Sequence, residues 1–357
     1  MNYKTILITG GCGFVGSNLA EKIKKTYPDA RVIAMDNLYR KGSELNAQRL
    51  EKMGVEFKKG DVRKRDDFTF DIKIDLIIEC AAEPSVMAGL SESPLYAVDT
   101  NLNGAINCLE LARTNDSSLI FLSTSRVYPV QELKEIVLTE SRSRFEIDSH
   151  QTLKGVSDFG ISEEFSLGNV RTLYGATKLA SEFIIKEYAE NYHIPSVIDR
   201  CGVITGPWQF GKVDQGVFSL WVARHIYRSK KLSYIGFGGT GKQVRDFIHI
   251  DDLFNAVKFQ MENLSNWSGE VFNIGGGREQ SLSLCELTEL CQSLSGVKLE
   301  IDQVKKDRVG DIPLYISDCR KFQKMSNWKP RIGPKEAIKS LFDWMNEYKE
   351  LLKPILE

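Results

Sequence analysis

An α/β fold with a doubly wound parallel sheet is predicted by three features of the sequence. Short apolar runs alternate with helical stretches through the first half, a glycine-rich turn joins the first run to the first helix, and an acidic residue closes the second run. The runs at 5–9, 31–36, 55–59, 75–80, 119–123 and 196–200 read as strands, with helices at 14–25 and 175–192. Strands joined by helical crossovers imply a sheet covered on both faces. From about residue 201 the texture changes to helical patterns at 216–229, 251–263, 283–295 and 334–352, separated by loops rich in Gly, Asp and Arg. The expected division is a domain over 1–200 and a smaller C-terminal lobe over 201–357, with strands free to interleave between them.

Composition narrows the function classes. Of 357 residues 42 % are hydrophobic, enough for a full core, and 47 Lys and Arg face 48 Asp and Glu. So balanced a charge gives no electrostatic reason for a nucleic-acid or anionic-membrane partner. Basic clusters such as Lys22-Lys24-Lys25 and Arg63-Lys64-Arg65 read as solvated faces. The seven cysteines show no C-x-x-C pair and the four histidines stand far apart, so neither a disulfide framework nor a metal site is expected. No apolar stretch approaches membrane-spanning length, and the first apolar run reads as a strand, not a signal segment. A soluble, cytoplasmic protein is the expectation.

The turn Thr9-Gly10-Gly11-Cys12-Gly13-Phe14-Val15-Gly16 fits G-x-G-x-x-G as well as the wider spacing of Gly10, Gly13 and Gly16. Such glycines serve a tight turn, close backbone approach to a pyrophosphate and close helix–strand packing, and the helix N-terminus offers oriented N–H donors. Asp36 follows about twenty residues later, where a carboxylate receives the adenosine ribose hydroxyls of a dinucleotide. An acid there favours NAD over NADP, a preference tempered by Arg40 and Lys41. The expected domain is therefore of the Rossmann type, with Asp61 and Val62 at the end of the third strand facing the adenine.

Two further segments carry chemistry. Leu122-Ser123-Thr124-Ser125-Arg126-Val127-Tyr128 follows a strand, at the end where open α/β sheets place ligands. Tyr174-Gly175-Ala176-Thr177-Lys178 opens a helix, and its i, i+4 spacing sets phenol and ammonium on one face. A phenol with its ordinary pKa of about 10 is a poor base at neutral pH. A neighbouring cation favours the phenolate, so Tyr174 with Lys178 can take the proton of an alcohol while hydride leaves its carbon. Thr124 would hold the same oxygen, with Ser123 as its alternate.

In these motifs the chain resembles the extended short-chain dehydrogenase/reductase family of nucleotide-sugar epimerases and dehydratases, along nearly its whole length. Segments 9–19 (TGGCGFVGSNL), 36–42 (DNLYRKG), 213–217 (VDQGV), 241–246 (GKQVRD) and 272–284 (FNIGGGREQSLSL), with the long stretch between Tyr128 and Tyr174, resemble the subgroup that inverts C2 of a CDP-linked deoxysugar. The resemblance implies tightly bound, recycled NAD, held by Gly10, Gly13, Phe14, Val15, Gly16, Asp36, Asn37, Asp61, Val62, Ala81, Ala82, Asn101, Tyr174 and Lys178. It implies Thr124, Tyr174 and Lys178 as catalytic residues, and a nucleotide-sugar held by Trp208, Gln209, Lys212, Asp214, Gln243, Arg245 and Arg308. Arg245 either grips the diphosphate or pairs with Asp246 or Asp251. A homo-oligomer, dimer or tetramer, is also implied; helices near 101–113 and 175–192 either form its four-helix interface or pack on the sheet.

Two departures matter. Dehydratases of the family carry Asp-Glu after the catalytic Thr, where this chain has Ser125-Arg126. Many members have Asn where Arg200-Cys201-Gly202 is followed by Val203. The first argues against dehydration, the second against galactose-type 4-epimerisation.

Overall fold

The computed structural model describes residues 3–90, 93–211, 215–228 and 230–357. It forms two compact units, one of 1–127, 173–200 and 254–272, the other of 128–172, 201–253 and 273–357.

In the first unit the expected strands form as β1 (Thr5–Thr9), β2 (Arg31–Asp36), β3 (Glu56–Lys59), β4 (Leu76–Glu79) and β5 (Ser118–Thr124). They pair in parallel, with Ile6 opposite Val32 on one side and Leu76 on the other. Strands Ser196–Cys201 and Val271–Ile274 extend the order to β3-β2-β1-β4-β5, then 196–201, then 271–274. The direction of winding reverses between β1 and β4, the switch point outside which such sheets bind ligands. Strand alternation sends Leu7, Ile33, Ile77, Leu119 and Phe121 into one buried cluster with Cys108, Leu109 and Ala112 of helix Gly104–Asn115 and Ile185 of helix Leu173–Asn191. Of the two roles open to those helices, packing on the sheet is therefore one they perform. Phe183 nevertheless remains 54 % exposed.

The second unit gathers around strand Val244–His249, which pairs with Val203–Thr205 and Leu314–Tyr315 in parallel and with Ser281–Ser283 antiparallel. Its core joins Trp221, Phe247, Leu287, Leu341, Phe342, Trp344 and Met345. Helix Leu284–Ser295 starts on a reciprocal cap between Ser283 and Glu286. The single helix expected over 334–352 is instead two, Pro334–Glu347 and Lys349–Leu356. The break at Tyr348 lets Leu352 and Leu356 join the same core as Leu341 and Met345. Segment 128–172, without periodicity in the sequence, contains the hairpin Leu138–Glu140/Phe145–Ile147. It is fastened by Lys242 to Glu140 (2.7 Å) and by Arg144 to the Ser281 hydroxyl (2.6 Å).

Candidate functional site

The glycine turn leaves β1 with Gly10 in a left-handed conformation (φ +61°), where a side chain is strained. A Cβ on Gly10 would lie 2.8 Å from the Ala81 backbone, and one on Gly16 would lie 2.3 Å from the Gly10 carbonyl oxygen. The turn is thus pressed between the helix and the segment after β4. Helix Phe14–Thr26 begins with no side-chain cap and no acid in its first turn, leaving its positive end to an anion. Asp36 closes β2 and accepts from the backbone N–H of Cys12 (3.0 Å) and of Leu38 (2.8 Å). Burial raises its carboxyl above the usual range, and those two N–H donors oppose the shift. Asn37 donates to Asp61 (3.2 Å), which Arg63 also grips through Nε (2.9 Å), holding the Asp61 carboxyl down at about 2. Val62 is buried, and a Cβ on Gly104 would come within 2.9 Å of it.

Ala81 and Ala82 begin the turn after β4. Asn101, fully buried in a π-helical turn at Asp99–Asn103, holds that turn: it accepts from the Glu83 N–H (2.7 Å) and donates to the Thr177 hydroxyl (3.0 Å). Its amide thus ties the cofactor-side loop to the helix bearing Tyr174, and π-turns often mark such places.

Helix Leu173–Asn191 lies against β5 and the turn Ser125–Val127, which brings the Tyr174 and Thr124 elements together. Tyr174 is half-buried, while Thr124 is buried and accepts from the Arg126 N–H (3.2 Å). Lys178, one turn on and 1 % exposed, donates to Glu79 (3.0 Å) and sits 3.7 Å from the centroid of the Phe121 ring. Glu79 has no exposed surface; burial pushes its carboxyl up and the Lys178 ammonium pulls it down. Ser123 points to the opposite face of β5 and donates to Glu182 (2.5 Å), so it is no alternate to Thr124. Glu182 is held by Arg200 at 3.1 Å and 2.7 Å, a second buried pair.

In the second unit Arg245 donates to Asp311 (2.7 Å) and to the Ile312 carbonyl (2.7 Å). Asp311 is thus a carboxylate partner of Arg245. Alternation along the strand turns Asp246 the other way, where it accepts from the Gly276 N–H (3.0 Å) and burial pushes its carboxyl up to about 6. Half-buried Arg308 belongs to the same turn as Asp311, whose N–H bonds to the Arg308 carbonyl (3.2 Å). Gln243 donates to the Ile235 carbonyl (3.0 Å), and its own amide oxygen is buried without a partner. The Trp208 ring packs on Trp344 (5.7 Å) and Tyr348 (5.1 Å), while Gln209 donates to the Ile204 carbonyl (2.9 Å). Lys212 and Asp214 lie outside the described residues. Among the described residues no cluster of His, Cys, Asp or Glu is arranged to hold a metal, and the cysteines are free thiols.

Residues 6–275 match the model of the NAD dependent epimerase/dehydratase family. The chain is 30 % identical to CDP-paratose 2-epimerase of Salmonella typhi, over 95 % of this chain and 98 % of that protein. The chain belongs to the NAD dependent epimerase/dehydratase family. It is also 29 % identical to a putative UDP-glucose 4-epimerase of Methanocaldococcus jannaschii, over 95 % of this chain and 98 % of the relative. The same fold occurs in the crystal structure of UDP-glucuronic acid 4-epimerase from Bacillus cereus with UDP-glucuronic acid and NAD, with a TM-score of 0.77 at 24 % identity, over 96 % of this chain and 99 % of that one.

NAD, the cofactor of the family, fits the residues present. The uncapped helix end suits its pyrophosphate, and the anchored Asp36 carboxylate suits ribose hydroxyls. Three groups escaped the sequence reading: Glu79, Glu182 and Arg200 as buried ion-pair partners. For Glu79 a signal existed, since a carboxylate ends the otherwise apolar run Leu76-Ile77-Ile78. A buried charge demands a partner.

Proposed function

We propose that the chain is an NAD-dependent epimerase that inverts C2 of a CDP-linked deoxysugar, converting CDP-paratose to CDP-tyvelose through a transient 2-keto sugar. The observation that carries the reaction type is the Tyr174–Lys178 helix face set against β5, with Ser125 and Arg126 where a dehydratase would have its acid and base. The choice of C2 and of CDP is supported by the similarity to CDP-paratose 2-epimerase over nearly the whole of both chains.

The C2–H of such a sugar is not acidic, so deprotonation at carbon does not invert it. In the proposed cycle Tyr174 takes the C2 hydroxyl proton, with Thr124 bonded to the same oxygen and Lys178 favouring the phenolate. NAD, when bound, supplies the acceptor for the C2 hydride and returns it. Gln243, Arg245 and Arg308 hold the nucleotide diphosphate while the ketone reorients, with Trp208, Gln209, Lys212 and Asp214 assigned to nucleotide or sugar. An Arg suits the diphosphate by its planar pair of donors. Return of the hydride to the opposite face, with Tyr174 giving back its proton, leaves cofactor and charge unchanged, so retained NAD is expected. We also assign the protein a homo-oligomeric state, with the exposed Phe183 edge of helix Leu173–Asn191 as contact.

Proton NMR of purified protein with CDP-paratose tests this. C2-inverted sugar appearing without added cofactor is the expected result. An unchanged spectrum from folded, NAD-loaded protein would sink the substrate assignment. The similarity to a putative UDP-glucose 4-epimerase supports a second reading, inversion at C4, tested on UDP-glucose in the same way. A net dehydrogenase would accumulate NADH, visible in the near ultraviolet. A cofactor sensor would bind NAD and turn over nothing.

A further inference from the structure

A lysine ammonium removed from water readily gives up its proton, because burial favours the neutral form. Lys178 is 1 % exposed, enclosed by Glu79 of β4 and the Phe121 ring of β5. Among the described residues Glu79 is the carboxylate within ion-pair distance of Lys178. Stability alone does not account for the pair, since well-packed apolar side chains serve a core as well as a buried ion pair does. The pair also stands at a particular place. Glu79 is the last residue of β4, at the strand end beside the switch point, and Lys178 is one helical turn from Tyr174.

We propose that Glu79 is a positioning residue for the reaction: it keeps Lys178 charged and in place, and so keeps Tyr174 usable as a base near neutral pH. This rests on the reading of Tyr174 as the base.

The other titratable groups on the surrounding elements leave Glu79 that part. Cys80 and Cys108 are thiols that burial pushes far up, so they stay neutral. Glu182 is taken by Arg200 and Ser123, and Glu110 by Arg113 and the Tyr188 hydroxyl. Asp99 accepts from Asn103, and the Tyr96 ring lies under Arg63. Arg126 sits in the turn Ser125–Val127.

The test is a phenolate absorbance titration of the NAD-loaded protein without substrate. The signal of the matching Tyr174→Phe protein is subtracted, for the parent, Glu79→Gln and Glu79→Asp. In Glu79→Gln the unpaired ammonium should lose its proton early, and the Tyr174 midpoint should rise by roughly one pH unit or more, with the acid limb of kcat/KM moving alike. Glu79→Asp keeps the charge on a shorter stem, and its midpoint should fall between the two. It decides the matter alone if Glu79→Gln does not fold. A midpoint unchanged or lower in the variants overturns the proposal, because Lys178 would then hold its charge unaided. A parent midpoint at the ordinary value of about 10 instead overturns the assignment of Tyr174 as base. That outcome is separable from a failure of Glu79, which requires a lowered parent midpoint that survives the substitution.

Discussion

Helix Leu173–Asn191 carries two buried ion pairs a turn apart, and they are built differently. Glu182 is met by Arg200 at two distances of 3.1 Å and 2.7 Å and by the Ser123 hydroxyl, with a guanidinium that does not titrate in the working range. Lys178 meets Glu79 through one bond of 3.0 Å, beside an aromatic ring, with an ammonium, the kind of cation whose charge responds to its surroundings where a guanidinium's does not. The first is a strut between helix and sheet; the second is a charge one helical turn from a phenol. On the proposed reading, similar burial serves structure in one case and chemistry in the other, according to the cation.

The largest expected effect tests the chemical side. Tyr174→Phe should lower turnover by about 10²–10⁴-fold, the range for loss of a general base, while thermal unfolding and bound NAD stay unchanged. Near-normal activity would remove the phenol from the mechanism. On the structural side, Glu182→Ala takes the Glu182 carboxylate from the buried Arg200 guanidinium and should cost about 3–5 kcal/mol in denaturant unfolding. A loss below about 1 kcal/mol would mean that the strut is not one.

A third prediction uses a carboxyl without any cation. Asp199 is fully buried, accepts from Gln260 (2.6 Å), and burial pushes it up to about 7. Its other oxygen and the Gln260 amide oxygen both lack partners, and a proton on Asp199 supplies a donor where the buried pair has two acceptors to spare. Since the folded value lies above the unfolded one, near 4, the stability this proton brings is full below about pH 4 and lost as pH rises through about 7. Asp199→Asn should abolish that slope and equal or exceed the parent in stability at pH 8; an unchanged slope would assign it elsewhere. The smallest contrast lies in two neighbours on β5. Ser123→Ala should cost about 1–2 kcal/mol of stability with little loss of turnover, and Thr124→Val should do the reverse. Equal effects on both would erase the distinction between the two faces of the strand.

Much of the first unit was legible because its signals are local. The glycine turn, Asp36 and the Tyr174–Lys178 spacing each lie within a few residues or one strand–helix step, where geometry follows from sequence distance. What escaped depends on remote partners. Nothing near Trp208 announces Trp344, nothing near Arg245 announces Asp311, and nothing near Asn101 announces its bonds to Glu83 and Thr177. Segment 128–172 was silent for the same reason, since its hairpin is fastened by Lys242 and Ser281, which lie far along the chain.

The glycine turn also bears on how the protein can change over generations. With Gly10 and Gly16 packed within van der Waals contact of neighbouring backbone, almost any substitution there is lethal to the crevice, so that stretch offers selection no route. Asp36 is different, because its carboxylate meets the Cys12 and Leu38 N–H groups from the side chain alone. A smaller residue at 36 would free both donors, that of Leu38 two positions before Arg40. On the proposed reading, the heritable choice between one dinucleotide and its phosphorylated relative is concentrated at the end of a single strand, apart from the residues assigned to proton transfer.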